Sequence, residues 1–224
     1  MLDWNQIDTV LLDMDGTLLD LHFDTYFWLT HVPEKFAEKN ALTHEQAYRE
    51  ILKRVRAHEG TLNFYCLDFW SDNLQLDIAG LKHDVSHKIA YRPQVTTFLE
   101  QVREHRKRCV IVTNAHRDSL DLKLAKTGLH ENVDAIFCSH DFRMPKEAPD
   151  FWENLQHQEP FLPAATLLID DSVAVLRSAR EYGIAHLLTI SQPDSQQPRR
   201  DCDEFPSLDD FGDILPNRNE VPAK

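Results

Sequence analysis

The stretch that decides the fold is VLLDMDGTLLD, residues 10–20 of the chain. With the preceding threonine it begins as an apolar run, which predicts a buried β-strand over residues 9–12. Two aspartates, Asp13 and Asp15, follow this run directly. A carboxylate at the end of a buried strand costs free energy unless it is paired or bound to a cation. We therefore expect a positive group or a metal ion at this strand end.

The composition predicts a globular protein. Of the 224 residues 42% are hydrophobic, and 24 Lys and Arg against 37 Asp and Glu give a net charge of -13. No long basic run is present, so nucleic acid is not an expected partner. The sequence shows no signal peptide, no apolar run of about 18 residues and no C-x-x-C pair. We expect no membrane partner and a reducing cytoplasm as the compartment.

Residues 20–90 differ in pattern from the rest of the chain. Helical signals follow the first strand without a convincing second strand. Thr43 begins one of these helices, Gln46 completes a capping box, and Gly60 is expected to end the helix. We predict that residues 20–90 form an all-helical cap inserted into a core made of residues 1–19 and 91–224.

From residue 92 onward, helices and strands alternate. Helices are predicted near residues 94–105, 119–126, 150–157 and 173–182, and strands over CVIVTN, AIFCS, TLLID and HLLTI. Such alternation is typical of a parallel sheet with right-handed crossovers. The predicted fold class is therefore α/β, a Rossmann-like doubly wound parallel sheet with an inserted helical cap. The Pro-rich, polar tail from Gln192, including FGDIL, is expected to lie along the surface.

Polar side chains follow four of the predicted strands, and ligands bind beyond the carboxyl ends of strands in open parallel sheets. Carboxylate oxygens suit a hard cation such as Mg²⁺, whereas hydroxyl, amide and lysine groups suit a phosphoryl group. The sequence therefore predicts a phosphate-handling site at this edge of the sheet. Its members are Asp13, Asp15, Thr113, Asn114, Lys146, Asp170 and Asp171.

These motifs resemble those of the haloacid dehalogenase superfamily of phosphohydrolases. DMDGT at residues 13–17, VTN at 112–114, Lys146 in MPK and LLIDDS at 167–172 match its four motifs in order, and the helical insert matches its cap. LDLHFDTYFW and TLNFYCLDFW are similar to the branch of GMP/IMP nucleotidases. The resemblance implies an Mg²⁺-dependent phosphomonoesterase that acts on a small phosphorylated metabolite, a purine nucleoside monophosphate with GMP and IMP preferred.

The resemblance also implies a role for each core residue. Asp13 would be the nucleophile that forms an aspartyl phosphate, and Asp15 would be the general acid and base. Mg²⁺ would bind Asp13, the Asp15 carbonyl and Asp171, with Asp170 as a further ligand or as the holder of a coordinated water. The residues that would hold phosphoryl oxygens are Thr113, Asn114 and Lys146.

We expect the cap, and the loop that joins it to the core, to read the part of the substrate beyond phosphorus. An aromatic ring can stack on a purine, and an aspartate can accept hydrogen bonds from the ring N–H and amine of guanine. The candidates are Asp20, Phe23, Asp24, Phe27, Asn63, Tyr65 and Trp70.

Other functions can use the same core residues. A phosphatase for sugar phosphates or phosphoglycolate would share the nucleophile, and so would a phosphomutase of the same fold. A phospho-receiver module, which is not an enzyme, also combines clustered aspartates with a lysine on a parallel sheet. The receiver fits less well, because here the Asp-Asp pair lies on the fourth core strand and a large insert follows the first.

Overall fold

A parallel β-sheet forms the centre of the protein, for which the computed structural model describes residues 2–216. The described strands follow the spatial order β3-β2-β1-β4-β5-β6, and all neighbours are parallel. This arrangement confirms the predicted α/β doubly wound sheet. The strands are β1 Thr9–Leu12, β2 Arg108–Thr113, β3 Ala135–Cys138, β4 Thr166–Ile169, β5 His186–Ile190 and β6 Ser207–Leu208.

Eleven α-helices accompany the strands in the described range. The first six lie between β1 and residue 90, and a π-helical segment, Phe27–His31, joins the first two. They are α1 His22–Tyr26, α2 Val32–Asn40, α3 His44–Arg56, α4 Leu62–Tyr65, α5 Leu67–Leu74 and α6 Ile78–Asp84. The remaining five are α7 Val95–Glu104, α8 Arg117–Thr127, α9 Ser139–Phe142, α10 Phe151–Gln158 and α11 Val173–Tyr182.

Helices cover both faces of the sheet. Because side chains alternate along a strand, neighbouring residues of β1 pack into different hydrophobic clusters, one on each face. Val10 and Leu12 of β1 belong to one hydrophobic cluster, which includes Phe98 of α7. Leu11, between them, belongs to a second cluster, which includes Trp152 of α10 and Leu176 of α11. All these residues are buried, as a strand with helices on both sides requires.

The helices of the insert bury a third hydrophobic cluster. Phe23, Phe27 and Trp70 belong to it, and Leu122 of α8 contributes to it from outside the insert. Helix α3 begins with the capping box predicted at Thr43, although it ends at Arg56 rather than at Gly60. The boundaries of the cap at residues 20 and 90 stay a prediction.

The tail differs from the expectation that it lies on the surface. Residues 207–208 form β6 beside β5, and a 3-10 helix follows over Phe211–Ile214. Phe211 is buried against Phe98, and the Trp4 indole donates a hydrogen bond to the Ile214 carbonyl. The FGDIL motif therefore completes the core, because its phenylalanine fills space beside α7.

The order of the strands positions a site at the middle of the sheet. The chain moves outward from β1 to β2 and β3, then returns to β4 on the other side of β1. The loops after β1 and β4 therefore leave in opposite directions and open a crevice at their carboxyl ends. None of the described helices combines the length and hydrophobicity needed to span a membrane.

Candidate active site

Three carboxylates meet at the carboxyl ends of β1 and β4. Asp13 follows β1, Asp170 and Asp171 follow β4, and one oxygen from each lies within 4.8 Å of the others. The backbone fixes two of them, since the Asp13 N–H donates to the Ile169 carbonyl at 3.0 Å and the Asp170 N–H donates to the Leu188 carbonyl at 3.1 Å. The register of the central strands thus brings together residues that are far apart in sequence.

Lys146 brings positive charge to these carboxylates. Its Nζ lies 2.6 Å from Asp13 Oδ1 and 2.6 Å from Asp170 Oδ2, and it donates to the Val112 carbonyl at 3.0 Å. Burial disfavours the charged amine, yet Asp13 and Asp170 raise the pKa of Lys146 above its usual range. The lysine is therefore protonated and held against the proposed nucleophile.

One lysine does not balance the three carboxylates. Burial raises the pKa of Asp13 to about 7 against the attraction of Lys146, and burial together with repulsion from Asp13 raises the pKa of Asp171 to about 7. Excess buried negative charge favours a cation, and an all-oxygen donor set suits Mg²⁺. The residues present therefore fit the metal that the sequence predicts.

The two neighbouring aspartates differ in how free their oxygens are. Asp170 Oδ2 accepts from Lys146, and its Oδ1 accepts from the Ser172 N–H at 2.9 Å. The nearest described donor to the Asp171 carboxylate is Arg200, which is 3.4 Å from Oδ2. Asp171 therefore has the freer carboxylate, and its role as the direct metal ligand stays a prediction.

Gly16 allows the loop after β1 to approach this group closely. Its φ is +84°, in the left-handed region that glycine adopts without strain. A Cβ atom at this position would lie 2.9 Å from the Asp171 carboxylate. Any larger residue would push the loop away from the carboxylates.

The second motif contributes one free hydroxyl donor and one positioning amide. Thr113 Oγ1 accepts from the Ala115 N–H at 3.0 Å, which leaves its own hydrogen available to a phosphoryl oxygen. Asn114 Oδ1 accepts from the Lys146 N–H at 2.9 Å, and its Nδ2 donates to Glu147 at 3.0 Å. The structure therefore uses Asn114 to fix the loop that carries Lys146.

Two buried lysines near Asp15 are absent from the sequence prediction. Lys123 Nζ lies 2.6 Å from Asp15 Oδ1 and 2.6 Å from Asp24 Oδ2, and Lys82 Nζ lies 2.6 Å from Asp24 Oδ1. Burial alone would raise the pKa of Asp24, but the two lysines lower it to about 2. The sequence contains one indication that Lys123 is buried, namely its position close to Leu120 and Leu122, which are also buried in α8.

Asp24→Asn is expected to destabilise the protein, because it leaves Lys82 and Lys123 buried without their shared carboxylate. Removing one partner of a buried ion pair costs about 3–5 kcal/mol. Urea unfolding should show that loss, whereas Asp121→Asn, on the exposed side of α8, should change the free energy of unfolding by less than about 0.5 kcal/mol. Equal stability of the two variants would show that the lysines find other partners.

A cavity of about 380 Å³ extends from the carboxylates to the helical insert. Of the cap candidates, Asp24, Tyr65 and Trp70 line it. The insert contributes further lining residues beside these three candidates, and several of them are apolar or aromatic. They are Leu21, Thr25, Trp28, Leu29, Val55, Phe64, Leu67 and Lys82.

The other four cap candidates lie outside this cavity. Phe23 and Phe27 are buried in the hydrophobic cluster of the insert, and Asn63 is exposed to solvent. Asp20 Oδ1 accepts from the His22 N–H at 2.9 Å and from the Ser195 N–H at 3.1 Å. Asp20 therefore holds the loop in place and has no contact with the cavity.

Known proteins with this sequence pattern identify the family. The profile of haloacid dehalogenase-like hydrolases matches residues 10–189. The chain belongs to this family. It is 38% identical over 214 residues to GMP/IMP nucleotidase YrfG of Escherichia coli strain K12, covering 96% of each chain, and it matches the Shigella flexneri protein of that name equally.

Solved structures of low sequence identity share the fold. The haloacid dehalogenase (HAD) phosphatase of Thermococcus onnurineus has a TM-score of 0.78 at 20% identity, covering 92% of this chain and 95% of that chain. The L-2-haloacid dehalogenase of Xanthobacter autotrophicus has a TM-score of 0.60 at 16% identity, covering 92% and 96%. These similarities concern the fold alone.

Membership of this family confirms the predicted enzyme class. The protein is a haloacid dehalogenase-like hydrolase of the phosphatase type. The non-enzymatic alternative, a receiver module, is therefore discarded.

Proposed function

We propose that the protein is an Mg²⁺-dependent phosphomonoesterase that hydrolyses purine nucleoside 5′-monophosphates, with GMP and IMP preferred over AMP. The observation that carries this proposal is the contact of Lys146 with Asp13 and Asp170 at the end of a cavity lined by aromatic residues. The similarity to a protein named GMP/IMP nucleotidase supports the substrate class. We place this activity in the cytoplasm.

The proposed reaction has two steps at phosphorus. Asp13 attacks in line, a bond forms between its carboxylate oxygen and phosphorus, and the ester bond to the nucleoside breaks. Asp15 gives its proton to the leaving oxygen. Asp15 then takes a proton from water as that water attacks the aspartyl phosphate, which releases phosphate and restores the Asp13 carboxylate.

The remaining core residues orient the phosphoryl group. Thr113 donates its free hydroxyl hydrogen to one phosphoryl oxygen, and Lys146 donates to another while it holds Asp13. Asp13, Asp171 and the Asp15 carbonyl would hold Mg²⁺, with Asp170 anchored by Lys146 behind them. When bound, the metal ion would neutralise charge on the phosphoryl oxygens.

Chelation tests the metal assignment. Dialysis against EDTA is expected to lower kcat by at least about 10²-fold, because charge stabilisation by a metal ion is worth several kcal/mol. Added Mg²⁺ should restore turnover, and Mn²⁺ should substitute because it also prefers oxygen ligands. Phosphate release at a fixed GMP concentration measures the effect. Unchanged turnover after chelation would refute the assignment.

The contacts in the cavity favour a different residue for recognition of the base than the aspartates expected from the sequence. Asp24 is occupied by two lysines and Asp20 holds a loop, so neither carboxylate is a free acceptor for guanine. Lys82 lines the cavity, and its ammonium group carries hydrogens beyond the one donated to Asp24. We assign Lys82 to the 6-oxo group that guanine and hypoxanthine share, while Trp28 and Tyr65 supply aromatic surface.

Phosphate release from a panel of metabolites tests the substrate class. Values of kcat/KM for GMP and IMP are expected to exceed that for AMP by about ten- to a hundredfold, because adenine presents an amine where the other bases present a carbonyl. Sugar phosphates and phosphoglycolate should be poorer substrates. Equal kcat/KM for GMP, AMP and a sugar phosphate would leave a broad phosphatase as the surviving function.

Lys82→Met gives this test an internal comparison. It should reduce the ratio of kcat/KM for GMP to that for AMP, whereas Lys88→Met, whose ammonium lies over Tyr26 outside the cavity, should leave the ratio unchanged. A ratio unaffected by Lys82→Met would remove Lys82 from base recognition without affecting the roles of Asp13 and Asp15.

A further inference from the structure

A second group of possible metal ligands lies beside the cavity. It consists of Cys66 at the start of α5, His116 at the start of α8 and His140 in α9. One ligand atom from each lies within 4.8 Å of the others. The two imidazole rings meet nearly edge to face, with centroids 5.0 Å apart. Three separate segments of the chain therefore direct nitrogen and sulfur atoms to one place.

The chemistry of this group differs from that of the carboxylates that face the phosphoryl site. A thiolate and two imidazoles form a ligand set that Zn²⁺ prefers, whereas the carboxylates of Asp13, Asp170 and Asp171 suit harder ions. A tetrahedral zinc site needs a fourth ligand. A water molecule can complete the site, as in zinc sites with three protein ligands, and Asp68 Oδ2 lies nearby, 3.5 Å from His116 Nε2.

His140 provides an independent observation that favours a ligand at this place. Its Nε2 atom is buried and has no hydrogen-bond partner among the described residues, which is costly for a polar atom. An imidazole nitrogen without a hydrogen-bond partner can bind a metal ion through the neutral form of the ring.

We propose that Cys66, His116 and His140 form a Zn²⁺ site between the insert and the sheet. Cys66 and Asp68 lie in the predicted cap, whereas His116 and His140 follow β2 and β3. Zinc bound there ties the cap to the core. Because His116 also lines the cavity, occupancy of the site inhibits turnover. This site goes beyond the proposed function, which needs no soft metal.

Cobalt is the probe for this site, because Co²⁺ bound to a thiolate gives a near-ultraviolet charge-transfer absorption that oxygen ligands do not give. The full chain is titrated with Co²⁺ in saturating Mg²⁺, which keeps the carboxylates occupied. We expect the absorption to saturate at one Co²⁺ per chain and to disappear when Zn²⁺ is added. A folded protein that shows no such absorption would overturn the proposal.

Matched cysteine variants locate the ligand. Cys66→Ser keeps an oxygen that can accept from the Phe69 N–H, as the sulfur does at 3.5 Å, so the start of α5 is preserved. Cys202→Ser is the control, since Cys202 is equally half-buried but packs in the second hydrophobic cluster. We expect Cys66→Ser to lose the absorption and Cys202→Ser to keep it. The reverse result, or an equal effect of both variants, contradicts the site.

The variant His140→Asn tests whether this imidazole binds the metal, and inhibition by Zn²⁺ tests whether occupancy of the site lowers turnover. His140→Asn should weaken Co²⁺ binding by at least about tenfold.

The Zn²⁺ concentration that halves turnover in saturating Mg²⁺ should rise by at least about tenfold in Cys66→Ser relative to Cys202→Ser. Equal inhibition of the two variants would show that zinc acts at the carboxylates instead. The cobalt absorption is measured without turnover. The zinc site can therefore be refuted while the proposed function stands, and the proposed function can be refuted while the zinc site stands.

Discussion

Asp13→Asn is expected to lower kcat by about 10⁴-fold or more, because the amide keeps the shape of the side chain but cannot attack phosphorus. Lys146 Nζ keeps the Asp170 carboxylate at 2.6 Å and the Val112 carbonyl at 3.0 Å, so the variant should stay folded. Steady-state phosphate release from GMP and from an aryl phosphate, at saturating Mg²⁺, measures the loss. Thermal unfolding of the same sample confirms the fold.

The control for this prediction is Asp121→Asn, which removes a carboxylate from the exposed side of α8. Its kcat should equal that of the unaltered enzyme. If Asp13→Asn kept more than about a tenth of kcat, a covalent mechanism through Asp13 would be wrong. Loss of folding in Asp13→Asn would instead give that carboxylate a role in stability.

Asp15→Asn is expected to lower kcat for GMP by about 10²- to 10⁴-fold, because both proposed proton transfers pass through this carboxylate. The loss in kcat/KM should be smaller with an aryl phosphate, whose leaving oxygen needs no proton, and because kcat/KM reports the first step, the difference between the two substrates isolates the acid step. The same phosphate-release assay measures both. A loss of only a few-fold with GMP would reduce Asp15 to a partner of Lys123.

The sequence predicts most of the sheet because its strands carry their own local signals. The strand over residues 9–12 and the helix over residues 173–182 lie where the pattern places them, each with an apolar run and a clear stop. Strand β6 is different, since two residues provide no periodicity. Its pairing with β5 depends on where the long tail returns, and local pattern does not contain that information.

The candidate site also has one part that the sequence predicts, in the core, and one part that it does not, in the insert. The topology of a doubly wound sheet brings Asp13, Asp170 and Lys146 to one edge, since the two aspartates directly follow β1 and β4 and Lys146 lies in the loop after β3 and α9. The insert lacks such a rule, because aromatic residues serve hydrophobic cores and ligand cavities alike. Phe23 and Phe27 belong to the hydrophobic core of the insert and do not line the cavity. The packing of the insert decides which role an aromatic residue has, and the local sequence does not reveal that packing.

Buried charge is the other feature that local sequence does not reveal. Asp24 looks like a free acceptor in a loop, but Lys82 comes from α6 and Lys123 from α8 to occupy both of its oxygens. Each lysine is far from Asp24 in sequence, so the pairing follows from how the insert packs on the sheet. The base-reading role therefore moves in our proposal from the aspartate to Lys82.

The most direct test of the central claim is to trap the phosphorylated enzyme. Asp15→Asn is mixed rapidly with an aryl phosphate and Mg²⁺, then quenched in acid. The first step proceeds with this leaving group, while the second lacks its base and is slow. We predict a burst of one aryl alcohol per active site and one phosphoryl group on the peptide that contains Asp13. A burst without label on that peptide, or label on a different residue, would contradict the assignment of Asp13 as the nucleophile.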